Sequence, residues 1–295
     1  MKDAAPATCF EVQYKKRSQG PEIWRRFKKN KRALLGLIII VIIILSSVFA
    51  PFVATHDPAL QNPKNRLVSA SLEHIMGTDD FGRDIFSRVV YGGRISLTIG
   101  LLSTIFACVI GALFGAVAGY YGGRLESVIM RIMDIFLSIP NLLLAVAIAA
   151  TLGAGIFNTI IAVTITGIPA YCRVMHSAVL IIRDQEFIEA TRAAGASDLV
   201  IILENIVPNC LAPLIVQVTM RIGAAIMISS SLSFVGVGVS PPTPEWGSML
   251  SKGREFLRQY PHLTIYPGLA MLLSVFSLNL MGDGLRDALD PKLKT

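Results

Sequence analysis

The sequence predicts an all-α membrane protein with six transmembrane helices, and three observations carry that prediction. Of its 295 residues, 53% are hydrophobic and only 16% charged, and charge-free runs long enough to cross a bilayer recur along it. Lys and Arg outnumber Asp and Glu by 27 to 20, yet ten basic and three acidic residues precede Leu34, which leaves 17 of each for the remainder. The basic excess therefore abuts the first apolar run, where it reads as an orientation signal and not as a nucleic-acid footprint. Gly and Pro clusters punctuate the long runs at intervals that suit helix-to-helix turns.

Residues 1–32 form a basic tail whose end, "PEIWRRFKKNKRALLG", places Ile23, Trp24 and Phe27 on one side of a helix and Arg25, Arg26, Lys28 and Lys29 on the other. That pattern suits a helix lying on an anionic inner leaflet of membrane lipid. Residues 33–53 carry no charge and make the first span. The tail is too long for an ordinary signal peptide, and Pro51 directly follows the cleavage-like "VFA", so the span is expected to stay as an anchor. Residues 54–94 are polar and expected to form an external cap, and 95–295 a five-helix core. Within it, Ile95 to Gly123 is span two, with Gly111, Gly115 and Gly119 at spacings of four, and Gly100 before them, for close helix contact. Ile135 to Cys172 is a 38-residue uncharged run, too long for one crossing, and "GAG" at 153–155 divides it into spans three and four. Asn205 to Val239, interrupted only by Arg221, is span five, and Thr264 to Gly282 is span six. With both termini cytosolic, 18 basic residues fall inside and 8 outside, Arg221 being within a span.

That orientation puts "EATRAAGASD" (189–198) in the cytosol. Asp184 is positioned to cap a helix from Gln185, with Phe187 and Ile188 as anchors and Gly195 as a left-handed stop. Ser197 or Asp198 can then cap the next helix, "LVIILENIVP". Ala190, Ala193 and Ala194 leave one face without bulk, and Glu189 sets a carboxylate near a helix start. On composition alone, a surface shaped for a partner's cleft and a plain solvated connector both remain open.

"EATRAAG" followed by "IVPN" resembles the cytoplasmic Glu-Ala-Ala loop of bacterial ABC importer permeases, with Glu189, Ala190, Gly195 and Pro208 on the pattern. Thr191, Asn205 and Val207 depart from it without removing the Glu, the Gly or the turn. "GTDDFGRDIFSRVVYGGRISL" (77–97), "LSFVGVGVSPPTPEWGSML" (232–250) and "NLMGDGLRDALDP" (279–291) are similar to segments of the dipeptide, oligopeptide and nickel branch, second permease type, in the same order. The resemblance implies a type I ABC importer permease bundle with a cytoplasmic coupling helix in a loop at about 183–208. It implies a bacterial inner-membrane, multi-pass subunit, a second homologous permease as heterodimer partner, two ABC ATPase subunits and an extracytoplasmic solute-binding protein. Peptide is the cargo implied by the branch, with nickel, a metal chelate or glutathione left open. ATP and Mg would sit on the partners. The residues agree independently, since the chain has no Gly-Lys pair and so no phosphate-cradling G-x-x-x-x-G-K-[ST] loop.

Arg221 lies midway through span five, where a charge usually faces a cavity or a partner. A translocation-path role shared with Gln217, one turn earlier, stands beside an ion pair with the partner permease. Asp79, Asp80 and Asp84 lack calcium-loop spacing and read as turn-makers paired with Arg83 and Arg88. His56, His74, His176 and His262 are scattered without an i, i+4 pair, so no metal site is expected. The 241–260 segment reads as a short helix burying Met249, Leu250, Phe256 and Leu257, with Trp246 at headgroup level, and as either a gate, a landing surface or an anchor. Cys9, Cys108, Cys172 and Cys210 show no pairing pattern and are expected to be free. No hydrolase or metalloprotease motif occurs, so no catalytic residues are expected. An ion-coupled secondary transporter, the rival reading, would be expected to carry acidic or His residues inside its spans.

Overall fold

The computed structural model describes residues 19–289. Cys9 and the rest of 1–18, and the last residues from 290 on, lie outside the described residues. Helices come in the order α1 (Gln19–Lys29), α2 (Lys31–Val48), α3 (Ala50–Val53), α4 (Ile85–Tyr121), α5 (Gly123–Ser138), α6 (Asn141–Leu152), α7 (Ile156–Ile182), α8 (Glu186–Ala193), α9 (Asp198–Val200), α10 (Val207–Val235), α11 (Trp246–Gly253) and α12 (His262–Leu289). Helices suit a bilayer because each satisfies its backbone groups internally.

Among the described residues, five helical runs are long and apolar enough to cross a membrane: α2, α4, α7, Asp198–Val235 and α12. The sixth expected span is broken. α5 and α6 pass only as a pair and are bent by 92°. Pro140 lacks a backbone N–H and crowds its predecessor, which drives Ile139 out of the helical region to φ −95°, ψ 130°. The stretch before it, which joins the expected spans two and three, is the amphipathic α5. Its two carboxylates face α7, with Glu126 2.8 Å from His176 and Asp134 2.5 Å from Arg173. The turn expected at 153–155 is present, and both Gly153 (φ 86°) and Gly155 (φ 153°) use backbone that side chains disfavour.

The 54–94 segment is not loop throughout. Asp84 accepts a hydrogen bond from the Ser87 N–H at 2.8 Å and so starts α4 at Ile85, ten residues ahead of the predicted boundary. α4 then runs 37 residues and packs along α7. Gly111 and Gly119 make this possible. A Cβ at Gly111 would lie 2.6 Å from the Ile168 carbonyl oxygen, and one at Gly119 2.8 Å from Val179 Cβ. At the start of the described chain, Phe27 and Ile23 pack on Ala33 and Ala288, while Trp24 is half exposed and stacks on Phe27 at 5.8 Å. The apolar side of α1 is thus partly covered by protein.

The loop at 54–84 and α11 close one end of the bundle, here called the cap. Trp246 is 1% exposed and its Nε1 donates to the Val89 carbonyl at 2.9 Å. It is a core residue of the cap and not the headgroup anchor the sequence suggested, because the Ser96 hydroxyl and the Val89 carbonyl offer it polar partners indoors. Met249 is buried as expected, whereas Leu257 is exposed.

Candidate functional site

At the other end of the bundle, α8 and the α9–α10 run form an elbow. α8 begins without a side-chain cap: Asp184 stands beside Arg183 at 3.4 Å, and the Ile188 and Glu189 N–H groups bond to the Gln185 carbonyl. The expected Asp184 cap is therefore absent, since an acceptor from the backbone of Gln185 already serves those donors. At the far end the stop forms as predicted. Gly195 sits at φ 83°, its N–H donates to Arg192 O at 3.0 Å, and the Ala196 N–H donates to Thr191 O at 3.3 Å. That pair of bonds is the Schellman turn, which requires a left-handed residue and favours glycine.

The surface is the one the alanines imply. Glu189, Ala190, Ala193, Ala194 and Gly195 are exposed, while Ile188 is fully buried with Ile201, Ile206, Met175 and Tyr171 in one cluster. Phe187 is exposed and does not anchor. Pro208 is exposed at the first turn of α10. Its ring crowds the carbonyl four residues back, and the chain widens into a π-helix over Ile201–Ile206 just before it.

Three side chains that sequence reading missed tie the elbow to the spans. The Tyr120 hydroxyl, at the end of α4, donates to Asp198 Oδ1 at 2.7 Å. Asp198 is thus occupied across the fold instead of capping α9. Arg192 reaches the same hydroxyl at 3.5 Å and lies over its ring at 5.7 Å, and the hydrogen bond holds the guanidinium above its ordinary pKa. Arg183 donates to the Gly119 carbonyl at 2.7 Å. Tyr120 and Asp198 are 78 residues apart, so no local pattern points to them.

Arg221 lines a small cavity of about 30 Å³ within the spans, together with Ser103, Thr104, Asn141, Thr166 and Tyr171. The Tyr171 hydroxyl is buried and has no hydrogen-bond partner among the described residues. Gln217, one turn earlier on the same helix, is half buried and does not line this cavity. At the cap, Asp79 pairs with Arg83 at 2.7 Å and Arg88 at 3.6 Å, as the sequence suggested. Asp80 lies beside this pair, and burial together with the Asp79 charge pushes its carboxyl above the usual range. Among the described residues Cys108, Cys172 and Cys210 are free.

Residues 111–295 match the family described as binding-protein-dependent transport system inner membrane component. The chain belongs to that family. Residues 18–70 of the permease match the N-terminal transmembrane domain of oligopeptide transport permease C. The permease is 46% identical to the dipeptide transport system permease protein DppC of Alkalihalophilus pseudofirmus, over 97% of this chain and 94% of that one. It is also 46% identical to the di/tripeptide transport system permease protein DppC of Pseudomonas aeruginosa, over 92% of each, and 44% identical to the glutathione transport system permease protein GsiD of Escherichia coli O157:H7, over 92% and 90%. These relatives place the permease in the peptide and nickel branch of ABC importers, as a multi-pass membrane subunit. Its fold is similar to a chain of the MetNI methionine ABC transporter in an inward-facing conformation, with TM-score 0.57 and 21% identity over 70% of this chain and 98% of that one.

Proposed function

We propose that this permease forms one half of a heteromeric peptide-import channel, driven through its elbow by ATPase subunits that bind ATP and Mg. The observation that carries the proposal is the elbow: an alanine face with one carboxylate, exposed on the outside, and rigidly bound on the inside through Ile188, Ile201 and the Tyr120–Asp198 bond. A helix held that firmly moves with the spans it is attached to, so closure of an ATPase dimer would swing the bundle between inward-open and outward-open states. In this reading Glu189, Ala190, Ala193, Ala194, Gly195 and Pro208 meet the ATPase, both termini are cytosolic, and the cap faces a solute-binding protein. A second homologous permease completes the channel. Di- and tripeptides are the cargo named for the relatives, glutathione among them, and they are the cargo proposed here. Arg221 and the Tyr171 hydroxyl offer a cation and an unpaired donor where a peptide carboxylate passes.

The test is a disulfide cross-link between Ala190→Cys and a cysteine in the ATPase subunit, with Cys9, Cys108, Cys172 and Cys210 replaced. A link whose yield changes with nucleotide is expected. Its absence in a demonstrably assembled complex would sink the docking role.

A further inference from the structure

At the cap, His56 meets the adjacent pair Glu73 and His74. One ring nitrogen each from His56 and His74 and a carboxylate oxygen from Glu73 lie within 4.8 Å of one another. The imidazole rings face each other with centroids 4.6 Å apart. His74 is buried and Glu73 exposed, with His56 between these extremes, so the group opens toward solvent on one side.

We propose that His56, His74 and Glu73 bind a divalent transition-metal ion of the zinc and nickel class. Two imidazoles and one carboxylate suit these borderline cations, and three protein ligands leave further positions for water. The surroundings are built for it. Asp84 Oδ1 stands 2.9 Å from His74 Nδ1, which fixes that ring and leaves Nε2 as the nitrogen to offer a metal. The same oxygen lies 3.7 Å from His56 Nδ1, which also bonds to Thr55 Oγ1 at 3.0 Å. A carboxylate behind the imidazoles is the usual outer-shell partner of metal-ligating histidine. Donors around a tetrahedral zinc lie roughly 3.3 Å apart for bonds near 2.0 Å. Closure from 4.8 Å therefore asks for small turns of the more exposed Glu73 and His56 while His74 stays in place.

The ion would staple the chain leaving α3 to the segment before Gly77, and through Asp84 to the start of α4. The site stands apart from the coupling elbow, and its failure would leave the import reading untouched.

The experiment is calorimetric titration of the full-length permease in detergent with ZnCl₂ and, separately, NiCl₂, in a Cys9→Ser background. One ion per chain is expected. His56→Gln and Glu73→Gln should each weaken binding by at least the ~10–100-fold seen for lost outer-shell partners. Both side chains are exposed enough that the metal-free thermal midpoint should not change, and metal should raise that midpoint only in the parent. Absence of stoichiometric binding overturns the site. So does binding that survives in both variants, because it must then sit elsewhere, such as at His176 or His262.

Discussion

The elbow and the cap are built on opposite plans. The elbow shows a stripe of alanines to the outside and hides isoleucines, with the Tyr120–Asp198 bond beside them. The cap hides charge: Asp79, Arg83, Asp84, Arg88 and Glu245 are all buried there. Glu245 is fully enclosed and accepts from the Ser248 N–H at 2.8 Å and from the hydroxyls of Ser96 and Ser230 at 3.2 and 3.3 Å. It therefore bolts α11 to both α4 and α10. A buried polar network fixes one arrangement sharply, because breaking any member strands the others. The two ends differ accordingly: the cap locks its charges inside, whereas the elbow leaves an alanine face accessible.

The largest expected effect tests the cap. Glu245→Ala would strand two hydroxyls and a helix N–H and should lower stability by ~3 kcal/mol, read as a drop in the thermal midpoint by tryptophan fluorescence. A change below ~1 kcal/mol would mean the network is not a unit. Next comes the elbow. A Cβ at Gly195 meets no described atom within 4 Å, so the cost expected of Gly195→Val is backbone strain at φ 83°, about 1–2 kcal/mol. Membrane insertion should be normal, while uptake per ATP hydrolysed falls in reconstituted complex. Gly195→Asn, which tolerates the left-handed region, should recover much of the coupling. Equal uptake in all three proteins would show that the turn does not transmit force.

The smallest effect is again at the cap. Asp80 has a raised folded pKa, so the folded state holds a proton that the unfolded state has already lost over the interval between the two values. Stability is full below the unfolded carboxylate pKa near ~3.9 and declines as pH rises through the higher folded value. Asp80→Asn should thus stabilise at pH 7 by at most ~0.5 kcal/mol, and that gain should vanish as the medium is taken to about pH 4. A gain that persists in acid would assign it to something other than charge.

The same contrast explains what was legible in the sequence. The elbow follows local rules: a left-handed glycine, an alanine stripe, a buried isoleucine one position before an exposed glutamate. These leave their mark within a dozen residues. So do the glycines on α4, since a spacing of four already says which face is bare. The cap obeys no local rule. Trp246 is interior because Val89 and Ser96 lie behind it, more than 140 residues earlier, and His56 meets His74 only because the loop folds back on Asp84. The break at Pro140 was visible as a residue, but the apolar run around it masked its consequence. Tyr120 illustrates the limit from the other side, for its role exists only when Asp198 has been carried to the end of α4.

One helix joins the two ends. α4 starts at the Asp84 bond beneath the cap and finishes at the Tyr120 bond to the elbow, 37 residues on. That makes a shaft roughly 55 Å long at 1.5 Å per residue, braced against α7 along the glycine seam. If one end serves as the fulcrum, a tilt of about 10° carries the other end some ~10 Å over that length, comparable to the width of a helix. A rotation imposed at the elbow would therefore arrive at the opposite end as a displacement, with no bond in the shaft rearranged.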